Sequence, residues 1–158
     1  MVKIKICGMR REEDIEMANK YKPDYIGFVF ADSPRKVTFD QAKELSSLLN
    51  EDIIPVGVFV NEHMKLIVDL FKDGIIKIAQ LHGDEDEDYI KNLKAKSLEQ
   101  TGSEIPIINA IEIKDDVDYN VASSGKTRRF HIQLNKWLVT PEELERQVGF
   151  HSSTQDDA

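Results

Sequence analysis

Residues 3–10 read Lys3-Ile4-Lys5-Ile6-Cys7-Gly8-Met9-Arg10, and Cys7 is the only cysteine in the 158-residue chain. A thiol removes a proton or attacks a carbon only as the thiolate, so its chemistry depends on cationic or hydrogen-bonding groups around it. The residue type alone equally admits a packed, inert thiol, because free cysteine is among the most buried side chains. Three other stretches bring polar groups to the ends of apolar runs. Ala31-Asp32-Ser33-Pro34-Arg35 carries a guanidinium, Asn61 an amide, and Gln80-Leu81-His82-Gly83-Asp84-Glu85 an amide, an imidazole and two carboxylates. Taken singly these are ordinary loop residues, with Asp32 and Asn61 as helix caps and Arg35 in solvent. Converging on one edge of a sheet, they would make a site.

Other constellations lead to exclusions. His82, Asp84 and Glu85 lack the spacing of metal ligands, so no metal site is expected. Ser124-Gly125-Lys126-Thr127 has the end of a phosphate-binding loop, but its first glycine position falls on Asn120 and no strand leads into it. A nucleotide site is therefore rejected. One cysteine forms no internal disulfide, and a reducing compartment fits. The net charge of −8 would repel nucleic acid or an anionic membrane surface. No signal peptide pattern and no apolar run of about 18 residues occurs. A cytoplasmic protein whose partner is a small molecule or another protein is expected.

The elements that must position these groups alternate along the chain. Apolar runs at Val2 to Ile6, Tyr25 to Phe30, Ile53 to Val60, Ile75 to Ala79 and Ile105 to Ile113 predict strands covered on both faces, the pattern of a parallel sheet. Between them, Met64, Ile67, Val68 and Phe71 share one helical face, with Asn61 as the expected cap. Ala42, Leu45, Leu48 and Leu49 share another, and Ile15, Ala18 and Tyr21 a third. Asp84 to Asp88 reads as the acidic start of a further helix. The result is a repeated βα architecture, either a barrel or an open doubly wound sheet. In both, ligands bind at the carboxyl ends of the strands, where Cys7 and the three clusters fall. The rhythm fails after Ile113, because Lys114 to Arg129 is polar. Trp137-Leu138-Val139 predicts one more short strand, Thr140-Pro141-Glu142-Glu143 opens a last helix, and residues 151–158 form a disordered tail after a single domain at 1–150.

Six stretches, in order, resemble the phosphoribosylanthranilate isomerase family of tryptophan biosynthesis: Lys5-Ile6-Cys7-Gly8; Glu13-Asp14; Asp24 with Gly27-Phe28-Val29-Phe30; Ser33-Pro34-Arg35; Val56 to Asn61; and Gln80 to Glu85. The resemblance implies an α/β fold, a (βα) repeat of TIM-barrel type, incomplete at about five to six units where the full barrel has eight. It implies an Amadori rearrangement of N-(5′-phosphoribosyl)anthranilate to 1-(o-carboxyphenylamino)-1-deoxyribulose 5-phosphate, with no cofactor and no metal. Cys7 matches the general base that removes the C2′ proton. Arg35 matches the arginine that holds the anthranilate carboxylate, and Gln80 and His82 line the same substrate-binding mouth.

The chain departs from the family after residue 113. The aspartate expected as general acid at the end of the sixth strand has no recognisable counterpart. Asp118 is the nearest carboxylate and lies in a polar segment, so the acid is left unassigned. The paired glycines and the Asp-x-Ser-Ser-Gly stretch that would receive the substrate phosphate are absent. Weak or absent turnover follows, and open barrel edges predict a homo-oligomer or a partner chain. Two alternatives stay open: a non-catalytic partial-barrel interaction protein, and a defective family remnant.

Overall fold

The computed structural model describes residues 3–110 and the backbone of residues 130–131. In chain order the elements are β1 (Lys5–Cys7), α1 (Glu12–Tyr21), β2 (Tyr25–Val29), α2 (Phe39–Ser47), β3 (Ile54–Phe59), α3 (Met64–Lys72), β4 (Ile78–Leu81), α4 (Glu87–Thr101), β5 (Ile107–Ala110) and β6 (Phe130–His131). Every neighbouring pair of strands is parallel, and the spatial order is the sequence order, β1 through β6. A doubly wound sheet grows in both directions from its first strand and buries that strand in the middle. Here β1 is an edge and each strand adds on the same side, which is the growth pattern of a barrel.

The helices pack on one face of the sheet only. Ile15 and Ala18 of α1, Ala42 and Leu45 of α2, Ile67, Val68 and Leu70 of α3 and Leu93 of α4 form a single buried cluster with Ile26, Phe28, Phe59, Ala79 and Leu81 from the strands. Those strand residues alternate with the ones that face the other way, as the two-residue period of a strand requires. The inward set follows the register in layers. Cys7 pairs with Gly27, Gly27 with Val56 and Val56 with Ile78, while Val29, Val58, Gln80 and Ile108 form the next layer toward the carboxyl rim. Phe30 and Phe59 stack in the outer core with ring centroids 5.2 Å apart.

Several expectations need correction. The fourth strand begins at Ile78, three residues later than the run from Ile75 predicts. Ile75 and Ile76 are fully buried, but both donate their N–H groups to the Leu70 carbonyl and so finish the turn after α3 before the chain enters the sheet. Gln80 is consequently inside β4 rather than in the loop beyond it. Asn61 does not cap α3: the cap position is His63, without a side-chain hydrogen bond, and Asn61 takes a left-handed φ of 49° that asparagine tolerates. Tyr21 and Leu48 are 65% and 50% exposed instead of joining their helices' buried faces. The short sixth strand was not legible, because two paired residues after a polar stretch carry no periodic signal. Asp118, Ser124 to Thr127, the Trp137 to Val139 strand, the helix from Thr140, the 1–150 boundary and the tail at 151–158 all lie outside the described residues.

A candidate thiol and guanidinium site on the carboxyl rim

Cys7 is the last residue of β1 and its side chain is half-buried. Gly8, at φ 91°, turns the chain away from the strand, and the N–H groups of Gly8 and Met9 both donate to the Gly27 carbonyl, at 2.9 and 3.0 Å. A side chain at residue 8 would be strained in this conformation and would also collide with Arg35, whose Cδ lies 2.5 Å from where a methyl carbon would sit. The bare glycine lets the Arg35 stem cross over the β1 exit. Its guanidinium Nη1 donates to the Cys7 carbonyl at 3.5 Å, while the rest of the side chain is exposed and open to a ligand.

The loop that carries Arg35 is held in several places. Arg35 N–H donates to Ser33 Oγ at 3.1 Å, Lys36 N–H to the Ser33 carbonyl at 3.0 Å, and Arg10 Nη1 to the Pro34 carbonyl at 3.0 Å. Val37, almost fully buried, pins the far end, and Thr38 then starts α2 through a reciprocal pair of bonds with Gln41. On the β1 side, Asp14 accepts from the N–H groups of Arg10 and Arg11, both at 3.1 Å, and from the Arg11 guanidinium at 2.8 Å. The bond from the Arg11 side chain, with those from the two backbone N–H groups, holds the Asp14 carboxyl below the usual carboxylate range against the opposing effect of burial.

Gln80 and His82 stand on the opposite side of the described rim, with β2 and β3 between them and Cys7. Gln80 points inward and is 1% exposed, and its Oε1 has no hydrogen-bond partner among the described residues. An orphaned buried carbonyl is costly unless something accepted into the lumen satisfies it. His82 is half-buried and its N–H donates to the Phe59 carbonyl at 2.9 Å, extending the β3–β4 ladder to the rim. The structure thus brings Arg35 to the Cys7 backbone and leaves Gln80 and His82 on the same rim with two strands between. Two hollows, of about 760 and 250 Å³, lie over α3 and α4, and their lining includes none of the four.

Two features escaped the sequence reading. The first is a clamp between the loops after β3 and β4. Glu85 accepts from Asn61 N–H at 2.6 Å and from Gly83 N–H at 2.7 Å, and Asn61 Oδ1 accepts from Asp84 N–H at 2.9 Å. Tyr89 of α4 adds a bond from its hydroxyl to the Glu62 carbonyl at 2.6 Å, and burial, with Glu85 and Glu62 nearby, pushes its phenol up to about 12. The second is Lys5, which shares the inward face of β1 with Cys7. Its signal was available in the alternation of residues 3–7. Among the described residues no group of three or more His, Cys, Asp or Glu side chains is placed to hold a metal ion, and no helix is long and apolar enough to cross a membrane.

A one-sided βα repeat with sequential parallel strands, carrying a thiol and a guanidinium on its carboxyl rim, defines a barrel-type enzyme scaffold. The pattern of the N-(5′-phosphoribosyl)anthranilate (PRA) isomerase family matches residues 4–134. The chain belongs to that family. The N-(5′-phosphoribosyl)anthranilate isomerase of Thermoanaerobacter sp. strain X514 is 45% identical over 130 residues, which are 82% of this chain and 60% of the relative. The phosphoribosyl anthranilate isomerase of Thermotoga maritima superposes with a TM-score of 0.70 at 27% identity, covering 90% of this chain and 67% of its own. Another, solved with reduced 1-(o-carboxyphenylamino)-1-deoxyribulose 5-phosphate, has a TM-score of 0.65 at 32% identity and is covered over 59% of its length, against 77% of this chain. The chain spans about 60% of the length of the Thermoanaerobacter relative.

Proposed function

We propose that this chain acts on N-(5′-phosphoribosyl)anthranilate in the isomerisation for which its family is named, as an aldose-to-ketose isomerase of tryptophan biosynthesis in the cytoplasm. Cys7 is the base that takes the C2′ proton of the ring-opened substrate, and Arg35 grips the anthranilate carboxylate. A planar guanidinium can meet a carboxylate with two parallel bonds, so the exposed end of Arg35 suits that task. Gln80 and His82 line the far wall of the same mouth. The observation that carries the reading is the placement of the Arg35 guanidinium against the Cys7 backbone carbonyl across the bare Gly8, next to a thiol that faces inward over Gly27.

The purified chain should consume the fluorescent aminoribose phosphate slowly, because the family's phosphate-receiving glycines have no counterpart in the sequence. Cys7→Ser should cut that turnover about 100-fold or more, in line with the loss of a general base. Full turnover by Cys7→Ser would overturn the reading.

A second property rests on β1. Ile4 and Ile6 face away from the lumen at 57% and 41% exposure, and no strand pairs with the outer edge of β1 among the described residues. An apolar edge of this kind favours pairing with another strand, and we propose a second copy of this chain as the partner. Light scattering should give a mass above that of one chain, with Ile6→Lys shifting it to the monomer. A monodisperse monomer from the unmutated chain would refute it.

A further inference from the structure

We infer that Lys5 is a positioning residue for Cys7, its ammonium standing beside the thiol over Gly27 and holding the sulfur as the thiolate. The inference rests on the reading of Cys7 as the base and adds the group that makes that base available. Lys5 and Cys7 are two residues apart on one strand, so both side chains leave the same face of the sheet. Their register partners on β2 are Tyr25 and Gly27. A methyl group on Gly27 would lie 2.7 Å from Cys7 Sγ and 3.1 Å from Lys5 Nζ. Both atoms therefore converge on the space above one glycine, and no more than about 6 Å separates them, within the range where an opposite charge favours an ion.

Lys5 is half-buried, and among the described residues none of the ion pairs includes it. The other polar groups around β1 have partners of their own. Arg35, from the loop after β2, is a second cation and sits on the Cys7 carbonyl. Tyr25, inward from β2 one layer below, lies with its hydroxyl 3.5 Å from Lys3 Nζ. Asp24, at the foot of β2, accepts from Ile4 N–H at 2.8 Å. A half-buried lysine without a carboxylate costs more than a paired one, and a neighbouring thiolate supplies the missing negative charge. This also gives Gly27 a reason: any larger residue would push apart the two groups whose approach matters.

Because Cys7 is the only thiol in the chain, its alkylation by iodoacetamide reports on it directly and needs no turnover. At about pH 7 Lys5→Met should react about 5- to 10-fold more slowly than the unmutated chain, and catch up at about pH 10, where any thiol is ionised. Lys5→Arg should stay within about 2-fold, since it keeps the charge. Identical pH profiles for Lys5→Met and the unmutated chain would overturn the inference. If Lys5→Met does not fold, Lys5→Gln takes its place: it should be alkylated as slowly as expected for Lys5→Met at about pH 7, and a rate equal to that of the unmutated chain overturns the inference. A Cys7→Ser variant that loses turnover while Lys5→Met leaves the thiol unchanged would sink only this inference. Full turnover by Cys7→Ser would sink the assignment of the base and leave the alkylation result standing.

Discussion

The rim over β1 and β2 and the rim over β3 and β4 are built on opposite principles. Over β3 and β4 the strands are buried along most of their length, and the two loops are fastened to each other by Glu85, Asn61 and Asp84. Over β1 and β2 the first strand is three residues long, none of them fully buried; Arg10 ties the two loops at the Pro34 carbonyl, and the Arg35 guanidinium meets β1 through one long bond to a backbone carbonyl. The proposed base and its neighbouring guanidinium occupy the looser half. On the proposed function, a base and a guanidinium that meet a ligand need solvent access and room, whereas the wall over β3 and β4 needs to hold its shape. On the proposed function, the contrast places stability in one half and chemistry in the other.

Three substitutions test that division, in descending order of effect. Phe59, fully buried and stacked on Phe30, ties the β3 end to the outer core. Phe59→Ala should cost about 3–5 kcal/mol, read as a lower urea midpoint. Glu85→Ala should cost about 2 kcal/mol, because two backbone N–H groups lose a charged acceptor, and amide exchange should rise at Asn61 and Gly83. A similar loss from Arg35→Ala, which should stay within about 0.5 kcal/mol as an exposed residue, would break the comparison.

Asp14→Asn should cost about 1 kcal/mol, as the loss of a helix-capping carboxylate does. Its pH dependence sharpens the test. The Asp14 carboxyl is held below its usual range by the Arg11 side chain and the two backbone N–H groups, so it binds protons less readily folded than unfolded. Its contribution is therefore present above the ordinary carboxylate range and lost as pH falls through the folded value. Denaturation of Asp14→Asn and the unmutated chain should differ by a constant amount near neutrality and converge below about pH 4.

Much of this was legible in the residues. Ile67 and Val68 announced the buried face of α3, and the acidic run at Asp84 to Asp88 announced the start of α4, where Asp86 now caps through Tyr89 N–H at 2.7 Å. Cys7 at a strand end was legible, as was Arg35 after the next strand. Asn61 misled because asparagine is as good a cap as it is a left-handed turn residue, and only the approach of the next loop decides which. Gln80 misled because Ile75 and Ile76 look like strand but close the turn after α3.

The sequence by itself determined the repeat, the faces of the helices and the edge on which the thiol would stand, because these follow from periodicities of two and about 3.6 residues within one segment. The tertiary structure alone decided that the strands add in one direction, that Arg35 crosses Gly8 to reach the Cys7 carbonyl, and that Lys5 and the thiol share the space above Gly27. Those outcomes depend on register between segments some 20 to 30 residues apart, and a register is fixed by packing between strands rather than by the pattern along any one of them.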